Sequence, residues 1–330
     1  TGDFVFVGDV GRPDLLERAA GIDNTALAGA KQLWRSLLWF KTLPDHLQVW
    51  PGHGAGSACG KSLGAVPSST VGYERRVNWA LGMATEAEFV ASVLAGQPEP
   101  PKYFGRMKQV NRDGPPILGA VPTPRLMPAA EIVKLIDHGA VVVDRRPTIE
   151  FAAAHLPGSL NIPASKSFST YAGSLLPYDA ALWFLETDPN PTTLRQLALS
   201  LNAIGFDRIA GVFDATAYQA WEAAGRSIAS TEQLPVADLK AGARGRLLVD
   251  VRNTSEWEEG HLQGATLIPL PELMGRLDEI PVDREIVVHC QGGGRSAIAA
   301  SVLKRAGRQR VANLTGGFAA WVAAGGAVER

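Results

Sequence analysis

One cysteine in this sequence has the surroundings of a nucleophile. Cys290 ends the apolar run 287–289 and is followed by Gln291, three glycines, Arg295 and Ser296. Successive glycines let backbone N–H groups converge on one point, and the positive end of a helix that begins directly after them faces the same point. The loop therefore favours a thiolate over a thiol and predicts a cradle for a persulfide or a thiosulfate-derived anion. The predicted catalytic residues are Cys290 and Arg295, and the predicted persulfide-binding residues are Gln291, Gly292, Gly293, Gly294 and Ser296.

Two other interpretations of this loop are less favoured. A buried structural cysteine would leave three glycines at a sheet edge, where they destabilise a strand. Protein tyrosine phosphatases place five residues between His-Cys and Arg-Ser/Thr, whereas four separate Cys290 from Arg295. The shorter loop makes a smaller cradle, which suits a sulfur atom better than a tetrahedral phosphoryl group. Sulfur transfer is therefore favoured over phosphatase or arsenate-reductase chemistry.

An internal duplication shows what must position the loop. Residues 144–163 and 250–269 match at an offset of 106, and nine of the twenty pairs are identical. A period near 100 residues indicates two copies of one domain rather than a solenoid. We call residues 114–229 the middle copy and residues 230–330 the last copy. Pro- and Gly-rich stretches predict linkers at 97–101, 114–128 and 227–235.

Each copy is predicted to alternate strands and helices. In the last copy, strands are expected at 246–251, 265–268, 285–289 and 311–314, and helices at 254–259, 270–277, 295–306 and 317–324. Short apolar runs separated by helical patterns predict a parallel sheet with helices on both faces. Cys290 then stands at the end of a strand, where a helix begins.

Residues 246–325 resemble a rhodanese domain. The resemblance rests on Asp250-x-Arg252, Glu256-Trp257, Gly260-His261-Leu262-x-Gly264-Ala265, the six-residue loop Cys290–Arg295, and Leu314-x-Gly316-Gly317-Phe318-x-x-Trp321. It implies a Cys290 persulfide intermediate, ping-pong sulfur transfer to a thiophilic acceptor, and no cofactor in this domain. Asp250 and His261 are expected to brace the fold rather than to transfer protons.

The middle copy departs from this pattern. It keeps the Asp144-x-Arg146 and His155-Leu156-Pro157-Gly158 motifs but contains no cysteine. After a strand predicted at 182–185, the loop position runs from Glu186 to Thr193 and contains acidic residues and two prolines. Proline has no N–H to donate, so this loop lacks the donors of an anion-binding nest. The middle copy is therefore predicted to be catalytically inactive, with a scaffolding or substrate-channelling role.

The N-terminal segment carries a candidate metal ligand after each of two predicted strands. Asp9 follows the run 4–7, and His53 follows the strand 47–50 in a glycine turn. An Asp and a His so placed fit a metal site, although each alone is more ordinarily a structural turn residue. The segments 4–15 and 47–54 resemble parts of the C-terminal half of a metallo-β-lactamase-fold domain, and more narrowly of its persulfide dioxygenase branch. This resemblance implies Fe(II) bound by Asp9 with His53 beside it, zinc as the alternative ion, and the remaining ligands upstream of Thr1.

Three further features of the N-terminal segment have weaker interpretations. The stretch 55–62 nearly matches a nucleotide P-loop, but Ala55 replaces the first glycine and Pro67 interrupts the helix that should follow. Nucleotide binding is therefore rejected, and 52–64 is interpreted as a glycine-rich wall of an active-site mouth. Cys59 is expected to be structural, with a second sulfur-bearing thiol as the alternative. Arg12 is a candidate for binding a substrate carboxylate, or else a surface arginine.

Composition excludes several classes of function. Lys and Arg number 32 and Asp and Glu 33, a net charge of -1, which argues against a nucleic-acid or anionic-membrane surface. No apolar run approaches the ~20 residues of a membrane span, and no signal peptide is apparent. Two cysteines exclude a disulfide framework. A reduced, cytoplasmic enzyme is expected.

The sequence thus predicts an α/β multidomain protein. Residues 1–113 are expected to be the C-terminal portion of a metallo-β-lactamase αββα fold, 114–229 an inactive rhodanese-like domain, and 230–330 an active one. The resemblance implies a sulfurtransferase fused to a persulfide dioxygenase in sulfide detoxification. Its substrates would be small persulfides, thiosulfate or sulfite, and thiols such as glutathione or coenzyme A. The alternative is a zinc hydrolase resembling glyoxalase II, with rhodanese modules as sulfur carrier or redox sensor. The oligomeric state stays open, a homo-oligomer included.

Overall fold

The computed structural model describes residues 1–57, 59–121, 123–242 and 245–330, without the side chain of Ala20. These residues form two compact units, Thr1–Arg112 and Asp113–Arg330. The second unit holds both copies of the repeat, each with its own parallel sheet. Pro122, in the linker predicted at 114–128, lies outside the described residues. Within the described ranges, no helix combines the length and apolar content needed to cross a bilayer.

Helices make up most of the regular secondary structure in the N-terminal unit. Its strands β1 (Gln48–Val49) and β2 (Ser69–Thr70) pair antiparallel, and its helices are α1 (Leu15–Ala20), α2 (Thr25–Phe40), α3 (Val71–Val77), α4 (Glu86–Leu94) and α5 (Phe104–Asp113). The core lies between α2 and α4, where the rings of Trp34 and Phe89 are 5.4 Å apart. A capping box of Thr85 and Glu88 begins α4, because each side chain accepts a hydrogen bond from the other residue's N–H.

The strand predicted before Asp9 is wrong. Residues 1–9 carry only isolated bridges, from Gly2 to Pro51 and from Val5 to Val10. The backbone turns back on itself, with hydrogen bonds from Phe6 N–H to the Asp9 carbonyl and from Gly11 N–H to the Phe4 carbonyl, both at 3.0 Å. Because local turns use these groups, no partner strand pairs along the run. The strand predicted at 47–50 is confirmed as the short β1.

The middle copy has a four-stranded parallel sheet. Its elements are α6 (Glu131–Asp137), β3 (Val141–Asp144), α7 (Thr148–Ala153), β4 (Leu160–Asn161), α8 (Phe168–Leu175), β5 (Leu182–Leu185), α9 (Pro191–Asn202), β6 (Ile209–Phe213) and α10 (Thr216–Ala223). The strand order is β4-β3-β5-β6. Parallel strands end at one edge of a sheet, so the loops after β3 and β5 lie together.

The last copy has a five-stranded parallel sheet in the order β10-β8-β11-β12-β7. Its elements are β7 (Glu232–Leu234), α11 (Val236–Gly242), β8 (Leu247–Asp250), α12 (Thr254–Glu258), β9 (His261–Leu262), β10 (Thr266–Leu267), the 3-10 helices η1 (Leu270–Gly275) and η2 (Leu277–Glu279), β11 (Ile286–His289), α13 (Gly294–Arg305), β12 (Val311–Leu314), α14 (Gly317–Ala323) and β13 (Val328–Glu329). The parallel sheet predicted for this copy is confirmed.

The linker predicted at 227–235 contains an edge strand. β7 pairs with β12, and the Asn313 side-chain amide donates a hydrogen bond to Gln233 Oε1 at 2.9 Å. Leu234 is the buried residue of this strand. Three residues, two of them polar and exposed, give too little apolar periodicity to predict a strand.

Helix α13 is shared by the two copies. All residues from Ser296 to Leu303 are buried, so the helix has no solvent-facing side over this stretch. It packs on β11 and β12 of its own copy and on β4 and α7 of the middle copy. Across this contact the Asn161 N–H donates to Ser301 Oγ at 3.0 Å, and Arg305 donates to the carbonyls of Gly158 and Gly139. The two copies therefore form one unit, in which α13 is buried between them.

Candidate active site

Cys290 stands at the carboxyl end of β11, the central strand of its sheet. The residue is buried, with 2% exposed. The Gly293 N–H donates a hydrogen bond to Sγ at 3.2 Å, and the Ser296 hydroxyl donates to the same sulfur at 3.5 Å. Gly293 has a φ of +98°, in the left-handed region that favours glycine. The loop thus directs a backbone donor and a hydroxyl donor at one sulfur atom, which stabilises negative charge there.

The start of α14 fixes the loop from its other side. Phe318 N–H donates to the Cys290 carbonyl at 2.7 Å, and Ala319 N–H donates to the Gln291 carbonyl at 3.0 Å. Gly317 permits this approach, because a Cβ there would lie 2.2 Å from the Cys290 carbonyl oxygen. The exposed residues that form the outer rim of the loop are Gln291, Gly292 and Gly294.

Arg295 is held by a carboxylate at the rim of the loop. Its guanidinium makes two hydrogen bonds to Glu256, at 2.6 and 2.7 Å. Burial would raise the pKa of Glu256, but the hydrogen bonds from Arg295 and from the Asn253 N–H outweigh burial and lower it. The hydrogen bond to Glu256 raises the pKa of Arg295, which also interacts electrostatically with Cys290. Arg295 is therefore a fixed cation beside the sulfur, partly neutralised by Glu256.

A buried polar cluster lies under the loop. Asp250 and Arg252 form a bidentate ion pair at 2.7–3.1 Å, and Arg252 also donates to the Gly260 carbonyl at 2.8 Å. The guanidinium carbon lies 4.0 Å from the centre of the Phe318 ring. His289 Nε2 is 3.7 Å from the Asp250 carboxylate, and burial lowers the pKa of His289 to about 4. Asp250 thus links β8 to the residue directly before Cys290.

His261 also has structural contacts. Its ring stacks on Trp257 with the centroids 3.5 Å apart, and its Nδ1 lies 3.2 Å from the Trp257 carbonyl oxygen. Its Nε2 is 3.7 Å from Glu329 of β13. These contacts join α12 and β9 to the last strand of the chain.

Burial of neutral His289 makes the stability of this unit depend on pH. The unfolded chain takes up a proton near pH 6.5, whereas the folded chain does so only near pH 4. The free energy of unfolding should therefore fall as the pH drops through this window, by about 2 kcal/mol between pH 7 and 5. Replacing His289 with leucine, the residue that ends β5 in the middle copy, should remove this part of the slope. Urea unfolding at pH 7 and pH 5 measures the change in unfolding free energy, and His138→Gln, a substitution of an exposed histidine, is the control. The same change with pH in wild type and in His289→Leu would contradict the prediction.

Comparison with known proteins assigns the part of the chain that contains Cys290 to a family. A family model described as a Rhodanese-like domain matches residues 235–324. A sulfurtransferase of Allochromatium vinosum is 41% identical over 75 residues, which cover 23% of this chain and 70% of that protein. The chain belongs to the rhodanese family. The probable adenylyltransferase/sulfurtransferase MoeZ of Mycobacterium tuberculosis is 33% identical over 159 residues, or 46% of this chain but only 38% of that protein.

A solved structure extends the comparison beyond the rhodanese part. The crystal structure of a metallo-beta-lactamase from Staphylococcus aureus subsp. aureus COL has a TM-score of 0.56 and 38% identity, and the match covers 64% of this chain and 58% of that one. Together with the rhodanese match, it supports a fusion of a metallo-β-lactamase-like part with a rhodanese-like domain. The α/β multidomain fold class predicted from the sequence is confirmed.

In the middle copy, Glu186 occupies the position of Cys290. Strand β5 pairs with β3 in the register in which β11 pairs with β8, so the residues that follow them are equivalent. Glu186 is buried and forms an ion pair with Arg145, whose guanidinium lies 4.5 Å from the Phe168 ring centre. Burial lowers the pKa of Arg145 to about 10. A salt bridge thus occupies the position of the thiol, and no local sequence pattern indicates that Arg145 is the partner of Glu186.

Asp9 and His53 have different partners in the N-terminal unit. Asp9 is buried, and its carboxylate accepts four hydrogen bonds at 2.9–3.0 Å, from the N–H groups of Val10, Lys61 and Ser62 and from the Trp79 indole. The side chain of His53 is 42% exposed, and its Nε2 lies 3.4 Å from Asp3. No group of three or more His, Cys, Asp or Glu side chains suited to a metal occurs among the described residues. These residues by themselves do not fit a metal ion, and we assign no step to one.

Arg12 is structural in its contacts, whereas the two predictions for Cys59 both stay open. Arg12 is buried and forms a bidentate pair with Asp14, at 2.7 and 3.0 Å, so it is neither a surface arginine nor free for a substrate carboxylate. Cys59 is a half-buried free thiol whose N–H donates to Ser57 Oγ at 3.1 Å. Within the described residues, Cys59 and Cys290 are both free of disulfides.

Proposed function

We propose that this protein is a sulfurtransferase that carries sulfane sulfur as a persulfide on Cys290. The observation that carries the proposal is the pair of donors on Sγ, the Gly293 N–H and the Ser296 hydroxyl. Such donors stabilise a thiolate before the reaction and a persulfide anion after it. The sulfurtransferase names of the relatives in Allochromatium vinosum and Mycobacterium tuberculosis support the same activity. A reducing, cytoplasmic compartment belongs to the proposal, because the reaction needs a free thiol.

The proposed reaction has two steps. In the first, the Cys290 thiolate attacks the outer sulfur of thiosulfate, a new S–S bond forms, and sulfite leaves with the electron pair of the broken S–S bond. In the second, the thiolate of an acceptor such as glutathione or coenzyme A attacks the outer sulfur of the enzyme persulfide. Cys290 leaves as a thiolate, and the acceptor departs as its persulfide. Charge and electrons balance in each step, so the last copy requires no cofactor.

The rim of the loop favours sulfur donors over phosphate esters. Arg295 places positive charge where an anionic donor arrives, which raises the rate of encounter. Two of its five N–H groups donate to Glu256, so fewer donors remain for the bidentate grip that phosphate recognition uses. This geometry supports sulfur transfer and disfavours phosphatase chemistry.

Persulfide formation on the whole chain tests the proposal. After incubation with thiosulfate, mass spectrometry of the intact protein should show the addition of one sulfur atom, located on the peptide that contains Cys290. Glutathione should remove it and release glutathione persulfide. Absence of the adduct with every donor would overturn the proposal. An adduct that resists small thiols and leaves only to a protein acceptor would favour the sulfur-carrier or redox-sensor alternative.

A second function is proposed for the N-terminal unit. Its support is the similarity to the Staphylococcus aureus metallo-beta-lactamase. We infer a metal-dependent activity on low-molecular-weight persulfides, as an Fe(II) dioxygenase in sulfide detoxification, which needs ligands beyond the described residues. Metal analysis and O2 consumption with glutathione persulfide test it. Stoichiometric zinc without O2 uptake would favour the thioester-hydrolase alternative instead.

A further inference from the structure

The middle copy has a cavity of about 420 Å³ at the carboxyl edge of its sheet. The cavity is lined by the loops that follow β3, β4 and β5, and its lining includes Arg145, Thr148, Ala164, Glu186 and Thr187. Arg145 and Glu186 are buried, whereas Ala164 and Thr187 are exposed. Parallel α/β sheets bind ligands in crevices at the carboxyl ends of their strands, and this volume lies within the range of small-molecule sites.

The ion pair between Arg145 and Glu186 leaves part of each side chain without a partner. One hydrogen bond joins them, from Arg145 Nη1 to Glu186 Oε1. Within the described part of the chain, the buried Nε–H of Arg145 has no acceptor, although only 8% of the side chain is exposed. Nη2 of Arg145 and Oε2 of Glu186 make no hydrogen bond with the described residues either, but neither atom is fully buried. A charged donor and a charged acceptor are therefore open to the cavity that both residues line.

Arg146, the second cation in the lining, is already engaged. It donates to both carboxylate oxygens of Asp144 at 2.7–3.1 Å, to the Ala154 carbonyl at 2.7 Å and to the Tyr218 hydroxyl. Asp144 is fully buried and neutralises this guanidinium. The charges left for a ligand are consequently the guanidinium of Arg145 and the carboxylate of Glu186, side by side.

A ligand with a single charge fits this arrangement poorly. An anion attracted to Arg145 meets the carboxylate of Glu186, and a cation attracted to Glu186 meets the guanidinium. A group that carries both charges close together can bind both residues and leave the hydrogen bond between them in place. The α-amino-carboxylate group of an amino acid is such a zwitterion, because its ammonium and its carboxylate are joined through one carbon atom.

We propose that this cavity binds an α-amino-carboxylate zwitterion, with the carboxylate on Arg145 and the ammonium on Glu186. The same group occurs in free amino acids and at the γ-glutamyl end of glutathione, so the ligand is a free amino acid or a γ-glutamyl thiol. The inference goes beyond sulfur transfer, because no residue of the cavity lining belongs to the Cys290 loop. The copy without a cysteine is then a binding module in its own right.

Calorimetric titration of the whole chain with S-methylglutathione and S-methyl-L-cysteine tests the proposal. Both ligands carry the zwitterion, and neither can exchange sulfur with Cys290 because its sulfur is methylated. At least one should bind to a single site. N-acetylation of that ligand removes the positive charge and should weaken binding about tenfold or more, as expected for a lost hydrogen bond between charged groups. Binding of S-methyl-L-cysteine indicates that the amino-acid group alone is recognised, and binding of S-methylglutathione alone indicates a γ-glutamyl thiol.

Glu186→Gln locates the binding site. Glutamine keeps an acceptor for Arg145 but lacks the negative charge, so the zwitterion should bind about tenfold more weakly. The N-acetylated ligand should bind wild type and variant equally, because the interaction with the charge is lost in both. The matched control is Glu279→Gln: Glu279 is also paired with an arginine, Arg276 at 2.6 Å, but it is exposed and lies outside the cavity lining. The control should leave binding unchanged, and melting temperatures show that both variants are folded.

Several results would overturn the inference. Neither ligand binds wild type, or N-acetylation leaves the affinity unchanged. Binding that Glu186→Gln does not weaken would also overturn it, because the ligand would then lie elsewhere on the chain. A similar loss in Glu279→Gln would show that the effect is not specific to the cavity. None of these results bears on persulfide formation at Cys290, which mass spectrometry tests separately.

Discussion

Replacing Cys290 with serine should lower the rate of sulfur transfer by about four orders of magnitude or more, as expected when a nucleophile is removed. A serine hydroxyl stays protonated at neutral pH, and its oxygen cannot hold the transferred sulfur as a persulfide. The substitution is nearly isosteric, and the Gly293 N–H and Ser296 hydroxyl remain placed to hydrogen-bond the new oxygen. The fold should therefore persist. Steady-state turnover with thiosulfate and glutathione, together with the melting temperature, measures both effects.

Cys59→Ser is the matched control for this experiment. Cys59 is the other cysteine of the chain and lies in the N-terminal unit, so its loss should leave transfer at the wild-type rate. Undiminished turnover by Cys290→Ser would refute the assignment of the nucleophile. A loss of transfer in Cys59→Ser would instead assign a sulfur-bearing role to the second thiol.

The second large effect is expected on stability. Arg252→Met removes one partner of a buried ion pair and leaves Asp250, which is fully buried, without its counter-charge. Breaking such a pair costs about 4 kcal/mol of unfolding free energy. For a unit of this size that corresponds to a fall of roughly 10 °C in melting temperature. Chemical and thermal denaturation of the purified chain, followed by tryptophan fluorescence, measures the change.

The middle copy provides an internal control for this prediction. Arg146 pairs with Asp144 as Arg252 pairs with Asp250, but its side chain is 16% exposed against 2%. Asp144 also accepts a hydrogen bond from the Tyr218 hydroxyl at 2.6 Å, which remains when the arginine is lost. Arg146→Met should therefore destabilise the protein clearly less than Arg252→Met.

A double variant checks the cause of the loss. Asp250→Asn combined with Arg252→Met removes both charges and should recover part of the stability, because no buried charge is left alone. Equal losses in Arg146→Met and Arg252→Met, or no recovery in the double variant, would show that the charge itself is not what stabilises the last copy.

Much of the last copy could be predicted from local patterns. Strands β8, β11 and β12 are short apolar runs, and the glycines after Cys290 mark where the sheet ends and α13 begins. The residues of the loop follow from their types and spacing. Sequence periodicity says nothing about which side chain turns towards which, so the commitment of Arg295 to Glu256 became visible only in the structure.

Contacts between distant segments could not be predicted in this way. The contact of α8 with η1 depends on which face of the middle copy meets the last copy, and no local period encodes that choice. Arg12 did carry a signal that was missed: it lies two residues from Asp14, the spacing that joins Asp250 to Arg252. The strand predicted before Asp9 failed because turns with glycines at positive φ, such as Gly8, outweighed the apolar run.

The burial of α13 on every side gives a reason why a copy without a thiol is kept. If the chain were cut between the copies, the strip of α13 that faces β4 and α7 would be exposed to water, and the severed half would be prone to aggregate. In the intact chain, the middle copy and the last copy should consequently unfold together in one cooperative step. A gene that lost the catalytic chemistry of its middle repeat would still be under selection to retain the repeat as a cover for its neighbour.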